Sequence, residues 1–160
     1  MNKLLTPIKI GNVELRNRVI MAPLTRSRSD RAGLPNDLMR IYYGQRASVG
    51  LIISEATNIS PQGVGYLNTP GIWLAEQIEG WKPITEEVHS KGGRIYLQLW
   101  HTGRSSHPDF HGGEPTVSAS AINSGGMVNT YDGLKPKETP RALSINEIRS
   151  TVADYVKASE

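Results

Sequence analysis

Three segments of the sequence run from apolar residues into polar ones, and their polar ends carry side chains that could bind a ligand. They are residues 22–26 (APLTR), 54–57 (SEAT) and 98–101 (QLWH). Thr25 offers a hydroxyl, Ala56 leaves room for a close approach to the backbone, and Gln98 has an amide that donates and accepts. None of the three is a good acid, base or nucleophile at neutral pH. Grouped around one patch, they suit a flat heteroaromatic ring with N–H and C=O groups better than they suit hydrolysis.

This grouping requires that the three segments end parallel, neighbouring strands. The alternation of residues 95–100, the apolar run at 51–53 and the shorter run at 18–22 each predict a strand. The carboxyl ends of parallel strands meet at one face of the sheet, where ligand groups gather in α/β proteins. A β-hairpin is predicted ahead of the first strand, because alternating residues flank Gly11-Asn12.

Helical patterns separate the strands. Asn36 or Asp37 can cap a first helix, and a capping box formed by Ser144 and Glu147 opens a third. The second helix contains Pro83, which predicts a kink or a division into two shorter helices. Its apolar face is predicted to consist of Leu74, Ile78, Trp81, Ile84 and Val88.

The segment between the last strand and the third helix, residues 101–142, is rich in Gly, Ser, Pro and Asn. It is predicted to be a long irregular loop, and loops of this length inside a domain are usually functional or form a lid. The third helix has no stop residue before Glu160, so we expect the sequence to end inside a helix.

Strands that alternate with helices predict a parallel α/β sheet with crossover helices. Two topologies fit this order: an open doubly wound sheet, or the first part of a (β/α)8 barrel. No glycine-rich dinucleotide or phosphate-loop motif follows any strand, which argues against the open doubly wound sheet. A complete barrel needs roughly 250 residues, so this chain would hold the hairpin and about three of eight units.

Composition excludes several classes of protein. With 160 residues, 38% of them hydrophobic, the chain can bury a core, and no apolar run is long enough to span a membrane. The N-terminus has no signal-peptide pattern, so a cytoplasmic location is expected. The sequence pI is 9.3, but the formal charge is only +3 and the basic residues are interspersed with acids. Neither a nucleic acid nor a membrane is therefore expected as a partner.

A metal site is not expected either. The chain has no cysteine, which also excludes disulfides and a thiol nucleophile. Three histidines, His101, His107 and His111, fall within one loop. Their spacings of six and four residues do not match a helical ligand pair, and no group of carboxylates supports them.

Several ordered motifs together resemble the old yellow enzyme family of FMN-dependent ene-reductases. The motifs are residues 22–26 (APLTR), 42–48 (YYGQRAS), 51–57 (LIISEAT), 97–104 (LQLWHTGR) and 139–143 (TPRAL). The resemblance covers essentially the whole chain in order and spacing. It implies a TIM (β/α)8 barrel closed at its bottom by a hairpin, with residues 1–160 forming the N-terminal part of this single FMN-binding domain.

The resemblance also implies roles for particular residues. Pro23 and Leu24 would lie against the isoalloxazine through their backbone, and Thr25 would tune the flavin from near its O4 atom. Ala56 would offer a backbone group to the same edge, and Gln98 would bind the pyrimidine edge through its amide.

A substrate pocket above the ring is implied as well. Tyr66 and Trp100 would shape it, and Arg141 is a candidate at the barrel mouth. Family members take hydride from NADPH or NADH and reduce the C=C bond of α,β-unsaturated carbonyl or nitro compounds. The loop arginines that could meet the phosphate of NADPH are Arg26, Arg28 and Arg31.

The resemblance leaves part of the site unaccounted for. The pair that holds the substrate carbonyl, the proton-donating tyrosine and the phosphate-binding loops belong to later barrel units, and no residue here matches them. We therefore expect a complementary C-terminal barrel polypeptide as partner, without which the chain would be inactive. The alternative is a non-catalytic half-barrel that acts as a folding or interaction module.

Overall fold

The computed structural model describes residues 3–160. The strands are β1 (Ile8–Ile10), β2 (Val13–Leu15), β3 (Ile20–Met21), β4 (Leu51–Asn58), β5 (Ile95–Trp100), β6 (Val117–Ser118), β7 (Met127–Thr130), β8 (Gly133–Pro136) and β9 (Arg141–Ala142). The helices are α1 (Asp37–Gly44), α2 (Ala75–Ser90) and α3 (Ile145–Ser159). Within these residues no helix is long and apolar enough to cross a membrane.

A three-stranded parallel sheet in the order β3-β4-β5 forms the centre of the chain. Helix α1 connects β3 to β4, and α2 connects β4 to β5, as the sequence predicts. The predicted hairpin is also present: β1 and β2 pair antiparallel, and Gly11 in the turn has a φ of 55°, which glycine adopts without strain.

The hydrophobic core lies between the sheet and the two helices α1 and α2. It consists of Met39, Tyr43, Ala47, Ile52, Trp81, Ile84 and Val88. Ile95 and Leu97 of β5 pack against this core, so Tyr96 and Gln98 lie on the opposite face of the sheet. That opposite face is the inner face of a barrel if the sheet curves to closure.

The predicted apolar face of α2 is wrong at its first turn. Leu74 and Ile78 are each 43% exposed, whereas Gln77 is fully buried. The Gln77 amide explains the difference, because its oxygen accepts from the backbone N–H of Trp73 (3.0 Å) and Leu74 (3.1 Å) and its nitrogen donates to the carbonyl of Ala32 (3.1 Å). Gln77 thus supplies the N-terminal cap that the Leu74 side chain cannot provide.

Helix α2 is continuous from Ala75 to Ser90, so a division at Pro83 is wrong. A proline inside a helix costs roughly 3 kcal/mol through its missing N–H and its ring contact with the preceding turn. Trp81 and Ile84 flank Pro83 and are both buried in the core. Their packing offsets this cost and holds the two halves of the helix together.

The segment 101–142 is more regular than the sequence predicts. Strands β7 and β8 form an antiparallel hairpin, and β6 pairs in parallel with β9. The Thr130 hydroxyl accepts from the N–H of Asp132 (3.1 Å) and donates to the carbonyl of Gly133 (3.0 Å), closing a two-residue turn. The turn residues are Tyr131 and Asp132, and β8 begins at Gly133, whose φ of 107° favours glycine.

Helix α3 begins with the predicted capping box. The Ser144 hydroxyl accepts from the N–H of Glu147 (3.3 Å), and the Glu147 carboxylate accepts from the N–H of Ser144 (2.7 Å). The same carboxylate forms a two-point ion pair with Arg141, at 2.7 and 3.0 Å. These contacts lower the pKa of Glu147 to about 2, with the Arg141 hydrogen bonds as the largest cause.

The start of α3 should therefore make the chain sensitive to acid. Because the folded-state pKa of Glu147 lies below its ordinary value, its stabilising contribution is complete above about pH 5 and is lost as the pH falls toward 2. Glu147→Gln is expected to lose less free energy of unfolding than the parent chain between pH 6 and pH 3. Urea unfolding followed by circular dichroism at each pH measures this difference.

Glu76→Gln is the matched control for Glu147→Gln. Glu76 occupies the first turn of α2 and, within residues 3–160, has no ion pair. The Glu76→Gln variant should lose as much free energy of unfolding between pH 6 and pH 3 as the parent chain. Equal pH dependence in Glu147→Gln and the parent chain would contradict the assignment.

Candidate functional site

The carboxyl end of β4 carries an irregularity that brings Ala56 opposite Gln98. Pairing between β4 and β5 runs from Ile53 opposite Tyr96 to Ala56 opposite Gln98, so β4 holds one extra residue in this interval. Such a β-bulge re-aims the side chains that follow it, and bulges occur often beside active sites. Here the bulge places Ala56 and Gln98 as a cross-strand pair on the inner face of the sheet.

A serine hydroxyl repairs the backbone pairing that the bulge disrupts. The N–H of Gln98 donates to the Ser54 hydroxyl (3.2 Å), and that hydroxyl donates to the carbonyl of Glu55 (2.8 Å). Ser54 is fully buried, and its hydroxyl provides the acceptor that the Gln98 N–H would otherwise need from the backbone of β4. The backbone of Gln98 is fixed while its side chain remains exposed.

Thr25 lies in the loop that continues β3 past the same end of the sheet. Met21, paired with Ile52, is the last residue of β3, and the loop that follows carries Thr25 toward the end of β4 that holds Ala56. The loop stays beside β4, because the N–H of Arg26 donates to the buried Glu55 carboxylate (3.1 Å). The structure therefore brings Thr25, Ala56 and Gln98 to one end of three adjacent strands.

The polar side chains of this patch are available to a ligand. Among the residues that the structure describes, neither the Thr25 hydroxyl nor the Gln98 amide has a hydrogen-bond partner. Pro23 is half-buried, and Leu24 is 58% exposed in the same loop. An unused hydroxyl and an unused amide beside the small Ala56 fit the polar edge of a flavin ring, which presents both donors and acceptors.

Tyr66 and Trp100 are also brought together. Their ring centroids are 5.1 Å apart at an interplanar angle of 41°. The Trp100 indole N–H donates to the side-chain oxygen of Asn58 (2.7 Å), which lies opposite it in the sheet register. Since Gln98 and Trp100 are two residues apart on one strand, the aromatic pair flanks the patch on the same face.

Asn58 is fully buried and uses its whole amide. Its nitrogen donates to the Thr69 hydroxyl (3.0 Å) and to the carbonyl of Pro70 (2.9 Å), while its oxygen accepts from Trp100. The amide thereby fixes the indole relative to the loop that carries Tyr66. Sequence reasoning missed Asn58, although an asparagine at the end of an otherwise apolar strand is a pattern that could have indicated it.

The arginines that the sequence indicated are already engaged within the chain. Arg141 is held by Glu147, and the Arg31 guanidinium stacks over the ring of Tyr131 at 4.2 Å. Arg28 donates to the backbone carbonyl of Arg26 (3.1 Å). Their roles toward substrate or nucleotide phosphate remain predictions.

The three loop histidines do not converge on one point. The Ser106 hydroxyl donates to the carbonyl of Val64 (2.6 Å) and lies 2.9 Å from His111 Nε2, so the ring donates to the serine. Burial lowers the pKa of His101 and of His111. Within the described part of the chain, no group of three His, Cys, Asp or Glu residues could hold a metal ion.

Glu55 is a second functional residue that sequence reasoning missed. Its carboxylate is 1% exposed and accepts from the Tyr43 hydroxyl (3.1 Å) as well as from the Arg26 N–H. Burial raises the pKa of Glu55, although both hydrogen bonds oppose the shift, and burial likewise raises the pKa of Tyr43. A charged residue inside an apolar strand is the pattern that could have indicated it.

Comparisons with known proteins place this geometry in context. Residues 3–160 match the NADH:flavin oxidoreductase / NADH oxidase family. The flavin oxidoreductase hxnT of Emericella nidulans is 45% identical, over 98% of this chain and 42% of its own length. The chain thus spans about two fifths of the length of this curated relative.

Two solved structures are similar over nearly the whole chain. The old yellow enzyme homologue from Zymomonas mobilis has a TM-score of 0.94 and 48% identity, covering 98% of this chain and 44% of its own. Morphinone reductase in complex with tetrahydroNAD has a TM-score of 0.90 and 53% identity, covering 99% and 45% respectively. Both similarities include the hairpin, the parallel sheet and the loops that carry the patch.

Removal of the Asn58 amide should destabilise the chain. Asn58→Ala leaves the Trp100 indole N–H without its partner and removes the bond that the Thr69 hydroxyl accepts, which is expected to lower the free energy of unfolding by about 2 kcal/mol. Urea unfolding of the 160-residue chain measures the loss. Asn146→Ala, at an exposed position of α3, is the control and should stay within about 0.5 kcal/mol of the parent. Equal losses in the two variants would show that the Asn58 amide holds nothing in place.

Proposed function

The chain belongs to the NADH:flavin oxidoreductase / NADH oxidase family, and we propose that it is the N-terminal part of an FMN-dependent ene-reductase. The predicted fold class is confirmed: the solved structures that it matches are (β/α)8 barrels, of which it spans about 45%. The proposed reaction is the reduction of the C=C bond of α,β-unsaturated carbonyl or nitro compounds, with NADPH or NADH as reductant.

One observation carries the proposal. Ala56 and Gln98 form a cross-strand pair at the carboxyl end of the sheet, next to the loop that carries Thr25, and the polar side chains of Thr25 and Gln98 have no partner within residues 3–160. Gln98 is exposed and Thr25 is half-buried, so a ligand can reach both side chains, while the backbone that carries them is fixed by hydrogen bonds to Ser54 and Glu55. Groups that are fixed yet unused at the ligand-binding end of parallel strands are therefore expected to serve a bound molecule.

In this proposal each residue of the patch binds one part of the flavin. Gln98 would hold the pyrimidine edge by donating and accepting through its amide, and Thr25 would hydrogen-bond near the flavin O4 atom. Ala56 admits the ring to the backbone of β4, and the backbone of Pro23 and Leu24 lies against it. When bound, FMN supplies the hydride chemistry, while these side chains orient it and adjust its electron affinity.

The substrate would lie above the ring, beside Tyr66 and Trp100. The pair forms an aromatic wall whose position is fixed by Asn58, which favours a flat, conjugated substrate over a flexible one. The carbonyl-holding pair and the proton-donating tyrosine would come from the remaining barrel units, because no residue of this chain matches them. Arg141 remains a candidate at the mouth of the barrel.

The exposed apolar surface of α3 supports a complementary barrel polypeptide as partner. Helix α3 turns Glu147, Thr151 and Asp154 toward its own chain, and all three are half-buried. Its apolar stripe lies beside this face, is 36–66% exposed, and consists of Ile145, Ile148, Val152, Tyr155 and Val156. An amphipathic helix buries its apolar side, so the following barrel unit is the occupant that we propose for this stripe.

A second exposed surface lies at the other edge of the sheet. Leu38 and Ile41 of α1 are 55% and 47% exposed beside Tyr42, whose ring is covered by the Arg46 guanidinium at 3.8 Å. Strand β3 is the outermost strand on this side. In a closed barrel this edge would meet the last barrel unit, so one C-terminal polypeptide would cover both edges.

In the non-catalytic alternative, the chain uses the apolar stripe of α3 but binds no flavin. As an interaction module, the chain would use the same apolar stripe to bind another copy or another protein, and Thr25 and Gln98 would serve no cofactor. The choice of NADPH or NADH and the expected cytoplasmic location stay predictions from the sequence. Flavin binding by the completed barrel separates the two functions.

The first test of the proposed function is an FMN titration. The completed barrel, in which this chain is joined to the C-terminal part of the Zymomonas mobilis homologue, is expected to bind FMN and turn yellow. Gln98→Leu should weaken FMN binding about tenfold, since it removes hydrogen bonds without changing the fold. Tyr96→Phe, on the same face but further from the strand end, is the control. A colourless completed barrel would contradict the proposed function.

The second test addresses the apolar stripe of α3. Val152→Asp places a charge in the centre of the stripe and should abolish binding of a separately expressed C-terminal part, because a buried, unpaired carboxylate is costly. Asn146→Asp adds the same charge outside the stripe and should bind normally. Sedimentation velocity of the mixtures gives the result. Equal binding by both variants would exclude the stripe as the contact surface.

A further inference from the structure

We propose that Glu55 is a positioning residue that fixes the loop presenting Thr25 to the flavin. This inference rests on the proposed function, since it concerns how the flavin patch is held. Glu55 precedes Ala56 in the chain, and its carboxylate accepts from the N–H of Arg26, the residue after Thr25 (3.1 Å). One buried side chain therefore joins the two strand ends that meet at the patch.

The bulge in β4 gives Glu55 this position. Ser54 and Glu55 together face one residue of β5, so the extra residue frees Glu55 from strict alternation. Its side chain points to the helix side of the sheet, where the Tyr43 hydroxyl donates to it (3.1 Å) and accepts from its own N–H (2.8 Å). The glutamate is thus held at two points by α1 while its second oxygen holds the loop.

The loop needs such an anchor. Strand β3 pairs with β4 only through Ile20 and Met21, so the residues from Ala22 onward are outside the regular ladder. Ser27 has a φ of 52°, a conformation that non-glycine residues rarely adopt. The Arg26 N–H is a backbone donor in this irregular stretch, and a carboxylate is a strong acceptor for it.

A purely structural role for Glu55 is not sufficient to explain the arrangement. An apolar side chain of similar size would pack in the same space without the cost of burying a charge. The carboxylate instead accepts a hydrogen bond from the N–H of Arg26, the residue that follows Thr25. The geometry therefore indicates that Glu55 positions the loop after β3 and does not only fill space in the core.

The test begins with the 160-residue chain without flavin. Amide hydrogen exchange by NMR is expected to show that Glu55→Leu lowers the protection of the Arg26 amide at least about tenfold relative to the core amide of Ile52. Tyr43→Phe is the comparison variant: it keeps the Glu55 carboxylate as acceptor for the Arg26 N–H, so it should lower the protection of the Arg26 amide less than Glu55→Leu does. Glu55→Gln keeps an oxygen for Arg26 and should restore most of the protection. Equal loss at Arg26 and Ile52 in Glu55→Leu would overturn the proposal.

The second arm uses the FMN-loaded completed barrel. Glu55→Leu should shift the flavin midpoint potential in the same direction as Thr25→Ala, and the double variant should shift it no further than Thr25→Ala alone. An unchanged potential in Glu55→Leu would refute the positioning role toward the flavin. If the completed barrel binds no FMN, the proposed function fails, and the exchange experiment alone decides whether Glu55 holds the loop.

Discussion

The architecture depends on one constraint: every polar group at the carboxyl end of β4 is removed from water and must find a partner. Residues 54–60 are all buried. Ser54 bonds to β5, Glu55 to α1 and to the loop after β3, and Asn58 to the loop before α2 and to Trp100. An unsatisfied buried group costs about 1–3 kcal/mol, so this set of bonds fixes the relative positions of three strands and their loops.

The exposed polar side chains beside this buried set differ from it in their hydrogen bonding. Thr25 and Gln98 lie on backbone that the β4 network fixes, yet within residues 3–160 their side chains bond to nothing. A rigid support beneath free donors and acceptors is the arrangement that binding sites require, because little entropy is lost when a ligand is bound. The support lies on the helix side of the sheet and the exposed groups lie on the inner side, so the support acts on those groups through the backbone, as the bond from the Arg26 N–H to Glu55 shows.

The sequence predicted the elements that depend on residues close together in the chain. The capping box of α3, the Asn36 cap of α1, the hairpin at Gly11 and the three strands all follow from residues within a few positions of one another. The misses depend on distant partners. Gln77 is buried because it bonds to Ala32, 45 residues away, and Trp100 is fixed by Asn58, 42 residues away. The family motifs led to Thr25, Ala56 and Gln98, but only the structure shows that Glu55 joins β4 to the loop that carries Thr25.

Two exposed apolar surfaces lie at opposite edges of the sheet. The apolar stripe of α3 lies beyond one edge of the sheet, and Leu38 and Ile41 lie beside the other. In the proposed barrel, one set of later units would bury both surfaces and also bring the proton donor and the phosphate-binding loops to the patch. Assembly of the barrel and completion of the flavin site would then be one event, because the helices that bury the stripe are connected to the loops that complete the site. On this proposal, the patch forms within this chain before the exposed edges are covered.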